Sequence, residues 1–279
     1  MTTEPCIAWV LKSAKSLNMA LEPAWLLHRR SFGDGGFLVE LFGLNSGRFS
    51  AVLRGAGRKN RGGSLIGLAL PFTPLLIKAA GKGELKTLHQ LETSAASVKL
   101  AGRALFKGLY ANELLMRTLP RYDPYPRLFA AYGRVLPQLM SNDELPLREF
   151  ELALLDELGY ELIFAHDAEG GYIDPDASYG YQPSIGFERK VFQREERATD
   201  LGNAKCHSLT VSGNTLFAIA QWRHGDYSLS STDKQWLKRI IRMALAEQLN
   251  GKPLKSRELF KAFVAGESTH DGLGVDACS

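Results

Sequence analysis

Cysteine is scarce and poorly placed for cross-linking. The chain has three, Cys6, Cys206 and Cys278, far apart and in no CxxC pair. An odd, dispersed set argues against a disulfide framework and fits a reducing compartment, the cytoplasm. The six histidines are scattered, and Cys206-His207 is an isolated pair, so no four-ligand shell for zinc is expected. No apolar run approaches the roughly 18 residues of a membrane span. Residues 1–20 hold only a short apolar stretch at 6–11, followed by Lys12 and Lys15, which is no secretory leader. Catalytic signatures are missing as well: there is no HExxH and no GxSxG, and Asp167, Asp174 and Asp176 lack the ligand spacing of an EF-hand. The expectation is a protein without membrane association, cofactor or metal, and not an enzyme.

What is present is an uneven distribution of charge. The whole chain carries 34 Lys/Arg and 30 Asp/Glu, a net +4 that says little about partners. Residues 1–82, however, hold 11 of the basic and 4 of the acidic residues, a surplus of +7. A basic head joined to a nearly neutral body points to a polyanionic partner for the head, against the plainer alternative of a surface kept basic for solubility.

The two parts also differ in period. Phe37, Val39 and Leu41 alternate with Leu38, Glu40 and Phe42, and residues 48–54 alternate again, which predicts two strands. Gly43-Leu44-Asn45-Ser46-Gly47 between them is turn chemistry and predicts a hairpin. Further strands are expected at 25–30, 75–79 and 85–91. About five short strands in some 80 residues suit a small closed barrel better than an open sheet with bare edges. Beyond residue 94 apolar residues recur at three- and four-residue spacing, predicting helices at 95–119, 125–140 and 147–158, with Gly159 as a C-cap. Residues 160–212 read as loops with a few strands. Helix returns at 231–250, where Thr232 and Gln235 have capping-box spacing and Trp236, Leu237, Ile240, Ile241, Met243 and Leu245 face inward, and again at 257–264. The expected fold is α+β: an N-terminal OB-fold β-barrel at 1–85, a helical domain at 86–160, an irregular lobe at 161–225 without zinc ligands, C-terminal helices packing on the helical domain at 226–265, and a disordered tail at 266–279.

The most informative segment follows the third strand. Arg54-Gly55-Ala56-Gly57-Arg58-Lys59-Asn60-Arg61-Gly62-Gly63 holds four cations, four glycines and no acid. Glycines allow close approach to a phosphate backbone and the cations displace its counterions. An ordinary solvated hairpin tip is the competing reading. Gly57 and Gly62 have P-loop spacing, but Gly63 stands where the phosphate-binding Lys must be, so ATP binding is not expected. Among Trp25, Phe32, Phe37, Phe42, Phe49 and Phe72, most are expected to be core; Phe32, beside Arg29 and Arg30 and a glycine turn, is the best candidate to stack on a base.

In order and spacing these segments resemble the RecO family of recombination mediators. The resemblance rests on 28–32, 37–42, Gly47-Arg48, Gly55-Ala56-Gly57-Arg58-Lys59, Leu70-Pro71-Phe72 and Gly83–Leu88 in the head. In the body it rests on Tyr110-Ala111-Asn112-Glu113-Leu114-Leu115, Leu119-Pro120, Asp123-Pro124, residues 150–160 and Pro253-Leu254-Lys255-Ser256-Arg257-Glu258-Leu259-Phe260. Many family members carry a four-cysteine zinc module after the equivalent of Tyr160; with the single Cys206 in that stretch this chain resembles the zinc-free proteobacterial branch. The resemblance implies a cytoplasmic DNA repair and recombination mediator, nucleoid-associated during repair. Such a protein binds single- and double-stranded DNA, anneals complementary strands without ATP, and helps RecR load RecA on strands coated by single-strand-binding protein. By matching position, the DNA contacts would be Arg54, Arg58, Lys59 and Arg61, flanked by Arg29, Arg30 and Arg48. The tail of single-strand-binding protein, which the resemblance describes as acidic and ending in Phe, is expected at Lys234, Trp236, Lys238, Arg239, Ile240, Arg242 and Met243. The rival class is an OB-fold protein–protein adaptor without nucleic-acid binding of its own.

Overall fold

The structure is a computed structural model. It describes residues 21–33, 36–54, 59–60, 63–190, 209–225 and 227–270, with backbone alone for 59–60, 63–66 and 266–270. The chain divides into two compact units, one made of Met1–Phe150 with Lys252–Ser279 and the other of Glu151–Gly251. Among the described residues no helix is long and apolar enough to cross a membrane.

The first unit begins with strands β1 (Glu22–Phe32), β2 (Gly36–Gly43) and β3 (Gly47–Leu53). A minor hairpin of β4 (Lys59–Asn60) and β5 (Gly63–Ser64) and a single helical turn, α1 (Leu65–Leu68), follow, then β6 (Pro74–Ala80) and β7 (Leu85–Thr93). Five of the strands close into a barrel in the order β1-β2-β3-β7-β6, with β6 returning to β1. Every pairing is antiparallel except β3 with β7. Closure leaves no edge for another chain to extend. Alternate residues Leu26, Val39, Leu41, Phe49, Ala51, Leu75, Ile77, Leu88 and Leu91 fill the interior, as the period of two requires. The boundary expected at residue 85 falls where β7 starts, so the barrel continues to Thr93: the β6–β7 ladder pairs Leu75 with Thr93 and Ile77 with Leu91.

The β2–β3 turn shows how the sequence fixes local geometry. The Glu22 carboxylate accepts the Asn45 and Ser46 backbone N–H groups at 2.7 and 2.6 Å and the Ser46 hydroxyl at 2.7 Å. Gly47 sits at φ +64°, and a Cβ there would lie 2.0 Å from the Asp123 carbonyl oxygen. Only glycine satisfies both demands.

Helix α2 (Gly102–Thr118) is shorter than the expected 95–119, because residues 94–101 are not helical and Val98 donates its N–H to the Phe72 carbonyl instead of to a helical partner. It is followed by α3 (Pro126–Gln138), which opens on a proline as a first helical turn permits, and α4 (Leu145–Glu157). The outward residues of β1 and β2 at this side are aromatic and buried by α3. Trp25 meets Tyr132 edge-on at 5.4 Å, and Phe42 lies 5.5 Å from Phe129. Asn112 Nδ2 donates to the Leu27 carbonyl at 2.8 Å and its Oδ1 accepts the Tyr132 hydroxyl, so the one buried amide at this junction is satisfied.

The second unit holds a three-stranded sheet, order β10-β8-β9, from β8 (Ser178–Gln182), β9 (Gly186–Arg189) and β10 (Leu209–Ser212), with helices α5 (Gly213–His224) and α6 (Ser231–Gln248). The irregular lobe expected at 161–225, read as loops with a few strands, contains this three-stranded sheet and, in addition, a helix that the sequence reading did not find. Helix α6 belongs to this unit. Helix α7 (Lys255–His270) packs on the helical domain, with Phe260 and Phe263 at 5.7 and 4.8 Å from Phe106 of α2. It also extends beyond the start of the tail expected at 266; residues 271–279 lie outside the described residues, as do Cys6, Cys206 and Cys278.

Candidate nucleic-acid interface

The strand register assembles the site at one end of the barrel. Arg30 pairs with Leu38, Ser31 with Phe37 and Phe32 with Gly36, while Phe37 pairs onward with Leu53 of β3. Arg30, Phe32 and Arg54 thus share the rim around the β1–β2 turn, and all three are exposed. Phe32 is 45% exposed, whereas Trp25, Phe42, Phe49 and Phe72 are buried. The cationic segment leaves the barrel from this rim at Arg54. Arg58 and Arg61 lie outside the described residues, and for Lys59 only the backbone is described, paired with Ser64.

Two expected contacts are placed differently. Arg29 is half-buried, donating to the Ala69 carbonyl at 2.8 Å and lying over the Phe37 ring at 5.2 Å. It braces the rim more than it presents charge. Arg48 sits at the far end of β3, with 13% of its side chain exposed. Its Nη1 donates to Glu40 at 2.7 Å and its Nε to the Leu119 carbonyl at 2.9 Å. Burial pulls its guanidinium below the ordinary value, with the Glu40 carboxylate working against that pull. It is an internal partner of an acid.

The sequence reading missed Arg121. The α2–α3 connection lays Arg121, Tyr122 and Asp123 against the barrel: Arg121 Nη1 donates to the Ser50 hydroxyl at 2.7 Å and Nη2 to Glu40 at 3.2 Å. Tyr122 stacks on Phe49 at 6.2 Å, donates its hydroxyl to the Glu84 carbonyl, and lies under Lys86. Nothing in the sequence around Leu119-Pro120-Arg121 announces a partner some 70 positions upstream; a motif quoted for resemblance was the only trace.

On α6, Arg239 and Arg242 are exposed, and Lys234, Lys238, Trp236 and Met243 are half-buried. Arg239 covers the Trp236 ring at 4.7 Å. Ile240 is fully buried. Among the described residues no cluster of His, Cys, Asp and Glu could hold a metal ion.

A closed five-stranded barrel of this order, with a parallel pairing between its third and last strands and a cationic rim, is an OB-type barrel. The family model described as "Recombination protein O N terminal" matches residues 19–96, and "Recombination protein O C terminal" matches residues 99–258. The DNA repair protein RecO of Methylococcus capsulatus is 40% identical over 245 residues, covering 87% of this chain and 93% of that protein. The protein of the same name from Alkalilimnicola ehrlichii is 39% identical (86% of this chain, 90% of that one), and that from Aliivibrio salmonicida 37% identical (86% and 94%). The chain belongs to the RecO family of DNA repair proteins.

Proposed function

We propose that this chain is a non-enzymatic recombination mediator of the bacterial cytoplasm that binds single- and double-stranded DNA through its barrel rim. It anneals complementary strands without ATP and, with RecR, helps load RecA on strands coated by single-strand-binding protein. Family membership supports the repair role. The observation that carries DNA binding is the rim itself, where exposed Phe32 and Arg54 stand by the departure point of a segment with four cations and no acid. Cations supply sequence-independent affinity for phosphates, and an exposed aromatic supplies a stacking face that every base can use.

The test is the triple reversal Arg58→Glu, Lys59→Glu, Arg61→Glu. Losing about three phosphate contacts flattens the dependence of log K on log salt by about 2 for single strands. The loss is similar for all sequences, because phosphate contacts carry no sequence information. An unchanged slope in a folded variant removes the segment from the DNA site. A wild-type chain that binds no oligonucleotide at low salt supports an adaptor instead.

A further inference from the structure

We propose that the cleft on the outer face of β1, β2 and β3 seats one unstacked nucleotide of a single strand, with Arg30 and Arg121 receiving its phosphodiester. This deepens the DNA-binding reading above and rests on it. The cleft encloses about 230 Å³ and is lined by His28, Arg30, Leu38, Glu40, Met116 and Arg121, among others. That is below the range of about 300–1,000 Å³ usual for drug-sized ligands, and suits a single base or sugar better than a stacked run.

Its charge balance favours an anion. Three guanidinium groups line it, from Arg30, Arg48 and Arg121, against the single carboxylate of Glu40. Arg48 is committed to Glu40 and to the Leu119 carbonyl, so that pair is neutral within itself. Arg121 and Arg30 remain as surplus. Arg121 is held in place by Ser50 and Glu40 through two of its five N–H donors, and its side chain is 39% exposed. A fork already fixed in position loses little entropy on meeting a phosphate. Arg30 approaches from β1, in the row that pairs it with Leu38. Half-buried Leu38 and Met116 give the same cleft an apolar wall for a base or sugar.

The geometry separates strands. Bases in a duplex are paired and stacked, and presenting one to a small cleft requires it to be unpaired and unstacked first. In a single strand they are free to enter. The cleft therefore serves single strands through Arg30 and Arg121, while phosphate contacts from Arg54 and the cationic segment that follows it serve both forms.

The variants Arg30→Gln and Arg121→Gln test this, titrated with a labelled oligothymidylate and with a hairpin duplex across a salt series, alongside thermal melting. Arg30 is exposed and its replacement leaves the melting temperature unchanged, so it decides the matter even where loss of Arg121 loosens its connection. Each variant is expected to reduce the single-strand salt slope by about 0.7, the value of one phosphate contact, and to leave the duplex slope unaltered. Wild-type affinity and slope in folded Arg30→Gln, or equal losses on both DNA forms, would overturn the cleft while leaving the rim intact. Failure of the wild type to bind either DNA overturns both readings together.

Discussion

Glu40 is one carboxylate with three partners. It accepts from Arg48 and Arg121 and from the Ser50 hydroxyl, and is 15% exposed. Removing its charge leaves the Arg48 guanidinium largely desolvated with only a carbonyl for company, the costly case for a buried pair. Glu40→Gln is expected to lower the free energy of unfolding by about 2 kcal/mol, less than for a fully buried pair because solvent still reaches both groups. Urea denaturation measures it. The double replacement Glu40→Leu, Arg48→Met should lose less than the single one, because apolar groups of similar volume leave no orphaned charge; a larger loss would show that the pair holds the strap Arg121–Asp123 and not merely itself. Alternation along β2 made Glu40 legible as an outward residue, and Arg48 likewise. That the two neutralise each other was not, since opposite charges on facing strands predict a pair only once the register is known.

At the level of elements, α7 is anchored by a carboxylate from another helix. Glu113 of α2 accepts the Lys255 and Ser256 backbone N–H groups at 2.9 and 2.8 Å and the Ser256 hydroxyl at 2.7 Å, the work an N-cap residue usually does within its own helix. Arg117 holds the Lys252 and Pro253 carbonyls from the same side. Burial pushes the Glu113 carboxyl up, but the donors from Ser256 and Lys255 and the charge of Arg117 outweigh it, leaving it below the ordinary 4.5. A lowered folded-state value means stability that is fully present above pH 4.5 and lost as the pH falls through the depressed value. Glu113→Gln should therefore destabilise α7 by about 1–2 kcal/mol at neutral pH, seen as faster amide exchange in 255–264, and the difference from wild type should shrink in acid. A difference that persists unchanged at low pH would mean that packing against Phe106 alone holds the helix. Tyr110–Leu115 and Pro253–Phe260 were legible as family motifs; that Glu113 of one caps the other was not, because 142 residues separate them. The capping box on α6 was expected at Thr232 and Gln235, but it forms at Ser230 and Asp233, whose shorter side chain closes the reciprocal bond. Helix α5 escaped the reading because Gly213, Thr215, Leu216, Ala218, Ile219 and Ala220 are all buried, so no single apolar stripe stands out. The strands β8, β9 and β10 were expected in this stretch but not located, because four or five residues are too few for alternation to fix their bounds.

On the scale of the whole molecule the charge asymmetry between residues 1–82 and the remainder separates the proposed roles, a cationic barrel rim in one unit and the α6 surface in the other. The three cysteines stand far apart in the sequence and, among the described residues, no His, Cys, Asp or Glu cluster could hold a metal, so elemental analysis should find less than stoichiometric zinc, and a chelator should leave the melting temperature unchanged. For the acidic, Phe-ending tail of single-strand-binding protein, a receiving surface needs cations at its rim and an apolar seat, since a desolvated carboxylate without a partner is costly. Helix α6 supplies exposed Arg239 and Arg242 beside half-buried Trp236 and Met243. Ile240 drops out because it is core. Arg239 lies over the Trp236 ring, so the charge and the apolar face that a phenylalanine carboxylate requires are already adjacent. The double reversal Arg239→Glu, Arg242→Glu should abolish binding of the tail peptide at low salt, where rim charges count most, while affinity for an oligonucleotide is largely kept. Equal peptide affinities for wild type and variant would place the seat elsewhere. Loss of both ligands together would show that one cationic surface serves both, against the assignment of DNA to the barrel and the peptide to α6.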